Sequence, residues 1–258
     1  MNVQSRPLAR FPVKAGRVLI GGPAPVVCVP IVARDTEEAV TIAGNAAASG
    51  ADILEVRADY IDGLNPGNVG ELLGALSGAV SLPMIYTNRL WVEGGARQAP
   101  EHERVDSVLA AIECGKVALV DIELATEPSL RNRVLELATA RGVAVIVSYH
   151  NFISTPSKEA ILSIVRGEAE AGCNIIKFAV TPSDPRDVLV ALHATWEAKQ
   201  MTGLPVISMS MGSVGKFSRV VGALYGCDLT FASLGRTSAP GQIAVSEIHY
   251  FLSNLTPV

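Results

Sequence analysis

Eight short runs of apolar, largely β-branched residues recur along the chain with helical patterns between them, and this alternation restricts the fold more than any other feature. The runs are Val26 to Val32, Ile53 to Val56, Met84 to Thr87, Val117 to Ile122, Val143 to Ser148, Ile175 to Ala179, Val206 to Met211 and Asp228 to Ala232. They read as strands buried on both faces, as in a parallel sheet covered by helices. Thr36 to Ala48 predicts a helix capped by Thr36, with Glu37 and Glu38 in its first turn, and Ser157 to Ala171 predicts another after Pro156. Further helical stretches are Asn68 to Ala75, the least regular, His102 to Cys114, Pro128 to Ala140, Pro185 to Lys199, Lys216 to Leu224 and Pro240 to Leu252. Strand-helix units at this density, with no Pro/Gly/Ser-rich linker between them, predict a (β/α)8 TIM barrel in the α/β class. It is expected to be a single domain over residues 1–258 rather than a doubly wound sheet. Gly21-Gly22 precedes a strand instead of following one, so it reads as a hairpin turn and not a dinucleotide fingerprint. Arg17 to Ile20 would belong to a short hairpin closing the barrel base.

Composition narrows the functional classes. Hydrophobic residues make up 49% and aromatics 5% of the chain, which suits tightly packed parallel sheet and helix. A formal charge of -4, with no basic run and no aromatic-interleaved basic stripe, argues against nucleic acid as a partner. Cys28, Cys114, Cys173 and Cys227 lie far apart in apolar contexts and read as core residues in a reducing compartment. No stretch has the length of a signal-peptide core or a membrane span, so a cytoplasmic protein is expected, and the Asn254-Leu255-Thr256 acceptor spelling is fortuitous.

One strand carries a charge that its surroundings do not explain. Lys177 sits in the apolar run Asn174-Ile175-Ile176-Lys177-Phe178-Ala179-Val180 with no counter-charge close in sequence. A charged group in a buried strand is costly unless neutralised or paired. Burial lowers an ammonium's pKa, and a neutral amine attacks carbonyl groups. The competing reading is an ordinary ion pair with a carboxylate on a neighbouring strand, or a side chain reaching to water from the strand end.

Barrel catalysts stand at the C-terminal ends of strands, so unexpected polar residues there carry the functional argument. Glu55 and Arg57 share the face of Ile53; Thr87 and Arg89 alternate inward on the next strand, whose loop continues to Glu93-Gly94-Gly95; Leu119, Asp121 and Glu123 share a face; and Ser148 and His150 share another. His102, His193 and His249 fall in helices and read as surface residues. The loop Met211-Gly212-Ser213-Val214-Gly215-Lys216-Phe217-Ser218-Arg219 offers an anion cradle and a carboxylate fork in Arg219. Arg236-Thr237-Ser238-Ala239-Pro240-Gly241-Gln242 suits a mobile lid, with Ser238 and Gln242 able to hydrogen-bond hydroxyls or carboxylates. Together Glu55, Arg57, Arg89, His150, Lys177 and Arg219 suggest an amine nucleophile, an acid/base and guanidiniums. That set fits a carbonyl substrate that also carries a carboxylate. The arginines would add a positive field at Lys177 and repel a metal ion, so neither metal nor cofactor is expected.

These residues resemble the type I 3-dehydroquinate dehydratases, the Schiff-base enzymes of the shikimate pathway, over nearly the whole chain. The most specific part is Asp121-Ile122-Glu123-Leu124 followed by Val145-Ile146-Val147-Ser148-Tyr149-His150-Asn151. Glu55-Val56-Arg57 is similar to the family's substrate-binding Glu-x-Arg, Ile176-Lys177 to its Schiff-base strand, and Ser218-Arg219 with Ser238-Ala239-Pro240-Gly241-Gln242 to its carboxylate-binding arginine and lid. One departure is Pro30, where some members place a substrate-contacting serine, so no substrate contact is carried onto it.

The resemblance implies a hydro-lyase that converts 3-dehydroquinate to 3-dehydroshikimate by syn loss of water on the way to chorismate and the aromatic amino acids. Lys177 would form the imine, His150 would act as acid and base, and Glu93 would orient His150. Arg219 would hold the carboxylate, Glu55, Arg57 and Arg89 would contact ring hydroxyls or complete a charged network, and Ser238 and Gln242 would close over the substrate. A homodimer is implied as well. Two other readings remain open on the residues alone: a lysine-dependent aldolase, and a non-catalytic barrel that senses a polyhydroxy carboxylate.

Overall fold

The computed structural model describes residues 6–235 and 237–255. A hairpin of β1 (Val13–Ala15) and β2 (Val18–Ile20) comes first, followed by β3 (Val26–Ile31), α1 (Thr36–Ala48), β4 (Ile53–Arg57), α2 (Val69–Ala79), β5 (Met84–Thr87) and α3 (Glu101–Glu113). Then come β6 (Leu119–Glu123), α4 (Pro128–Arg141), β7 (Ala144–Asn151), α5 (Lys158–Glu170), β8 (Ile175–Val180), α6 (Pro185–Thr202) and β9 (Val206–Ser210). The chain continues through two single-turn helices, α7 (Gly212–Gly215) and α8 (Ser218–Val221), to β10 (Leu229–Ser233), β11 (Ile243–Ala244) and α9 (Val245–Leu255).

The sheet runs β11-β10-β3-β4-β5-β6-β7-β8-β9, all parallel, and curls back on itself. A parallel bridge between Val206 and Cys227 joins its two sides, and the Asp228 N–H donates to the Val206 carbonyl at 2.8 Å. The result is the expected α/β barrel. Inside it, each of the eight strands β3 to β10 supplies an apolar residue to one cluster: Cys28, Ile53, Ile85, Leu119, Ile146, Ile175, Ile207 and Leu229. Ala15, Val18 and Ile20 of the hairpin join that cluster and seal the base. The alternate residues, among them Val29, Leu54, Val56, Tyr86, Val120, Val147, Ile176 and Phe178, face outward into a second core shared with the helices. Period-two alternation thus leaves the inner positions above the plug for polar side chains.

Several details differ from the sequence expectation. The hairpin turns at Gly16-Arg17, and Gly21-Gly22 instead leads from β2 into β3. Asp35 rather than Thr36 caps α1, because its carboxylate reaches the Glu38 N–H at 2.8 Å. The helix expected over 216–224 starts two residues later, as α8 continued by a 3-10 turn over Gly222–Tyr225, and the Ser218 hydroxyl accepts from the Ser210 N–H at 2.9 Å, tying that start to the end of β9. β7 runs on to Asn151, beyond Ser148, and so carries His150 within the strand. Pro240 to Gln242 lie outside helix, since Ile243–Ala244 pair with β10 before α9 begins at Val245.

Candidate active site

At the C-terminal end of the barrel a cavity of about 420 Å³ is walled by Glu55, Arg57, Arg89, Glu93, His150, Lys177, Arg219, Ser238 and Gln242, together with Gly94, Phe152, Ala179, Met209, Met211, Phe231 and Ala239. All nine residues singled out from the sequence therefore face one space. Arg236 of the expected lid lies outside the described residues. Pro30 is buried in β3 opposite Glu55 and is not part of the cavity wall.

Lys177 has a counter-charge after all. Its Nζ donates to Asp121 Oδ2 at 2.7 Å, lies 3.7 Å from Glu55 Oε1, and sits 4.6 Å from the centroid of the Phe231 ring. The partners are two and four strands away, which is why the sequence neighbourhood of Lys177 gave no sign of them. Asp121 also accepts from Ser148 Oγ at 2.6 Å and pairs with Arg89 Nη2 at 2.9 Å. Burial alone would push its carboxyl up, but Arg89 and Lys177 outweigh burial and hold it well below the usual carboxylate range.

The arginine field expected at Lys177 is largely cancelled. Arg57 is gripped bidentately by Asp59 at 2.9 and 2.7 Å, and Arg89 is shared between Asp121 and Glu123. Glu123 in turn accepts from Arg104 Nη1 at 2.6 Å. The sequence places Asp121, Glu123 and Ser148 on inner faces without assigning them a role, and it does not point to Asp59 or Arg104. The inward parity of Asp121, Glu123 and Ser148 was a readable signal. Asp59 stands in a turn past β4 and Arg104 in the first turn of α3, where strand parity says nothing.

Arg219 differs from the other guanidiniums. It donates to the Pro240 carbonyl at 3.0 Å and approaches Met209 Sδ at 3.5 Å, its Nε has no partner, and no carboxylate reaches it among the described residues. Burial depresses its pKa to about 10, the direction expected of a desolvated cation without an anion. Among the described residues the cavity therefore presents one buried positive charge without a counter-ion. The segment that touches Arg219 is itself held in shape, with Gln242 bonded to the Ser238 N–H at 3.0 Å and to its hydroxyl at 3.2 Å. Gly241 has φ +78°, and a Cβ there would stand 2.3 Å from the Gly212 carbonyl oxygen, so only glycine lets the segment lie this close.

His150 and Glu93 form a dyad. Glu93 Oε2 accepts from the His150 backbone N–H at 2.8 Å and lies 3.0 Å from Nδ1. With Nδ1–H donating to Glu93, the lone pair of the neutral ring is on Nε2. Burial, then the charges of Arg89 and Lys177, holds the imidazole pKa well below its usual value, so the ring is neutral and able to accept a proton. Burial and the charge of Glu123 push Glu93 up to about 7 against the pull of Arg89. Gly94, at φ +87°, lets the Phe152 ring close against this loop where a Cβ would stand 2.3 Å from a ring carbon.

Amine, imidazole and an uncompensated guanidinium on one cavity wall can together bind a carboxylate, condense with a ketone and move a proton beside it. No group of three or more His, Cys, Asp or Glu able to hold a metal occurs among the described residues.

Comparison with known proteins places this arrangement. The model of the type I 3-dehydroquinase family matches residues 27–256. The chain is 42% identical over 233 residues to a 3-dehydroquinate dehydratase of Methanothermobacter thermautotrophicus, covering 90% of this chain and 97% of that protein. It is 35% identical to that of Albidiferax ferrireducens, covering 93% and 92%. The crystal structure of 3-dehydroquinate dehydratase from Geobacillus kaustophilus superposes with a TM-score of 0.91 at 34% identity over 96% of this chain and 97% of that one. A type I enzyme from Clostridium difficile, described with covalently modified comenic acid, does so with a TM-score of 0.91 at 32% identity over 96% and 98%.

Proposed function

Because the chain belongs to the type I 3-dehydroquinase family, we infer that it is a hydro-lyase that removes water from 3-dehydroquinate to leave 3-dehydroshikimate in the shikimate pathway. The observation that best supports this reading is the pairing, in one cavity, of Lys177 with an imidazole base and with Arg219, a buried cation that lacks an anion. The substrate is a ketone bearing a carboxylate, and it meets both demands.

In the proposed mechanism the C1 carboxylate takes the free fork of Arg219, which sets the C3 ketone against Lys177. Lys177 gives a proton to the neutral imidazole of His150, the free amine adds to C3, the imidazolium returns the proton to the carbinolamine hydroxyl as it leaves as water, and an iminium forms. Asp121 is already the counter-ion of the Lys177 ammonium and serves the iminium in the same place, so the charge needs no rearrangement of the site. His150 Nε2 then takes the C2 proton, the electron pair flows into the C=N bond, and an enamine results. The protonated imidazole returns that proton to the C1 hydroxyl as it leaves, and hydrolysis of the new iminium frees the enone and Lys177. A positioned acid/base of this kind contributes on the order of 10²- to 10⁴-fold. Glu93 fixes the tautomer of His150. Ser238 and Gln242 stand where they can bond the substrate, and Glu55, Arg57 and Arg89 form the charged floor that orients its hydroxyls.

The same reading carries a single barrel domain over residues 1–258, a cytoplasmic homodimer, and no nucleic-acid partner. The dimer rests on the family resemblance. No helix among the described residues is long and apolar enough to cross a membrane. The test is incubation with 3-dehydroquinate, following the absorbance of the conjugated enone. Enone must accumulate with wild-type protein and not with Lys177→Ala. Release of an aldehyde instead would make the protein an aldolase, and tight binding with no turnover would make it a sensor.

A further inference from the structure

A second cavity, of about 620 Å³, lies on the outer side of the β5–α3 connection, backing onto the active-site wall. The chain alternates between the two spaces: Arg89 and Glu93 face the catalytic cavity, whereas Asn88 and Arg97 face the outer one. Its other walls are Leu64, Asn65 and Pro66 beyond β4, Gln98 to Pro100, and Glu103, Arg104 and Ser107 of α3.

The outer cavity is suited to a negatively charged guest. Arg97 donates long hydrogen bonds to the carbonyls of Ile61 and Leu64, both at 3.4 Å, and has no carboxylate partner among the described residues. Arg104 adds a second guanidinium to the wall: it is 2% exposed, with Nη1 held by Glu123 and the Asn88 carbonyl and Nη2 by Thr126, and only its buried Nε makes no hydrogen bond. Pro100 precedes α3 without any side-chain cap, so the first N–H groups of a 13-residue helix point to this end with their partial positive charge. Asn65, Gln98 and Ser107 add neutral hydrogen-bonding groups. The opposing charges are Glu103 on the wall and Glu101, whose Oε1 is 3.9 Å from Arg104 Nη2. Both are at least partly open to solvent, where screening weakens them more than it weakens the buried guanidinium.

We propose that this cavity is a second binding site, for a small oxyanion such as a carboxylate- or phosphate-bearing metabolite, held by Arg97, the first turn of α3 and the wall formed by Arg104. Arg104 connects it to the nucleophile through alternating charges: Arg104 to Glu123 at 2.6 Å, Glu123 to Arg89 at 2.7 Å, Arg89 to Asp121 at 2.9 Å, and Asp121 to Lys177 at 2.7 Å. An occupant that draws on Arg104 competes with Glu123 and is felt along that series.

The test is calorimetric titration of the full chain with inorganic phosphate and, separately, with citrate. It is run on wild type, Arg97→Ala, Arg97→Lys and Arg219→Ala. One oxyanion per chain is expected in Arg219→Ala, and in wild type a further one on Arg219 itself; the site that persists in Arg219→Ala should be weakened about tenfold or more in Arg97→Ala and partly restored in Arg97→Lys. Glu103→Gln should tighten it. Saturation by phosphate alone assigns a phosphate-bearing guest, and saturation by citrate alone assigns a carboxylate. Arg97→Ala should keep wild-type dehydration of 3-dehydroquinate, which shows that it folds. Loss of only the Arg219 site, with the second oxyanion bound as tightly in Arg97→Ala as in wild type, overturns the proposal, as does loss of all binding in Arg219→Ala, which would place the anion in the catalytic cavity alone. Absence of saturable binding by either anion overturns it as well.

Discussion

Replacing Glu168 by methionine should stabilise the protein, and by more as the pH rises. Glu168 continues the inward stripe of α5 formed by Ile161, Leu162 and Val165, where a hydrophobic residue would be expected. It is fully buried, and neither carboxyl oxygen has a hydrogen-bond partner. Burial therefore pushes its pKa well above the ordinary glutamate value. The nearby Lys177 backbone N–H opposes this, and the charges of Asp121 and Glu93 add to it. An unsatisfied buried polar group costs about 1–3 kcal/mol, which methionine of similar volume would recover. The pH dependence has a definite sign. Below about 4.3 both folded and unfolded chains hold the proton and the group adds no slope. Above that, the unfolded chain releases it while the folded chain keeps it, so wild-type stability falls by about 1.4 kcal/mol per pH unit until the folded-state pKa is reached. The advantage of Glu168→Met should thus grow as the pH rises above 5, at a rate of up to about 1.4 kcal/mol per pH unit for as long as the folded chain keeps the proton. Urea unfolding of both proteins at pH 5, 6 and 7 measures it, and the other titrating groups cancel in the difference. A pH-independent difference, or a destabilised methionine variant, would refute the reasoning.

Arg219→Ala should raise KM for 3-dehydroquinate by about 10- to 100-fold, the loss of a charge-assisted contact worth roughly 1.5–3 kcal/mol, in steady-state assays. An unchanged KM would remove Arg219 from carboxylate binding. Glu93→Gln should lower kcat and abolish a limb of the pH–rate profile near pH 7. As pH rises through about 7, Glu93 ionises and holds Nδ1–H of His150, so wild-type activity rises there and the variant's does not. Asp121→Asn should destabilise the fold by about 3–5 kcal/mol in denaturant melts, because it leaves Lys177 and Arg89 short of a buried counter-charge. Wild-type stability would show that Glu55 and Glu123 suffice.

The barrel was legible because its signal is local. A buried strand is a short apolar run, and strand parity placed Glu55, Arg57, Thr87, Arg89, Ser148, His150 and Lys177 on the inner side. What parity could not show is who pairs with whom. Lys177 looked unaccompanied in sequence, whereas its anions come from β6 and β4 through the curvature of the sheet. Asp59 and Arg104 carry no such signal for a related reason: they reach the site from a turn and a helix, outside any strand pattern. The helix over 216–224 shows a third limit: it forms, but its start shifts to Ser218, whose hydroxyl is tied to the end of β9 by a tertiary bond that the local pattern does not contain.

The central claim is that Lys177 is the nucleophile, and borohydride reduction in the presence of 3-dehydroquinate tests it most directly. Mass spectrometry of the digested protein should find the reduced ligand on the peptide containing Lys177 and on no other. His150→Ala should still form the adduct while turning over slowly, and Lys177→Ala should form none. An adduct that persists in Lys177→Ala, or its absence from wild-type protein that is turning over substrate, would contradict the account.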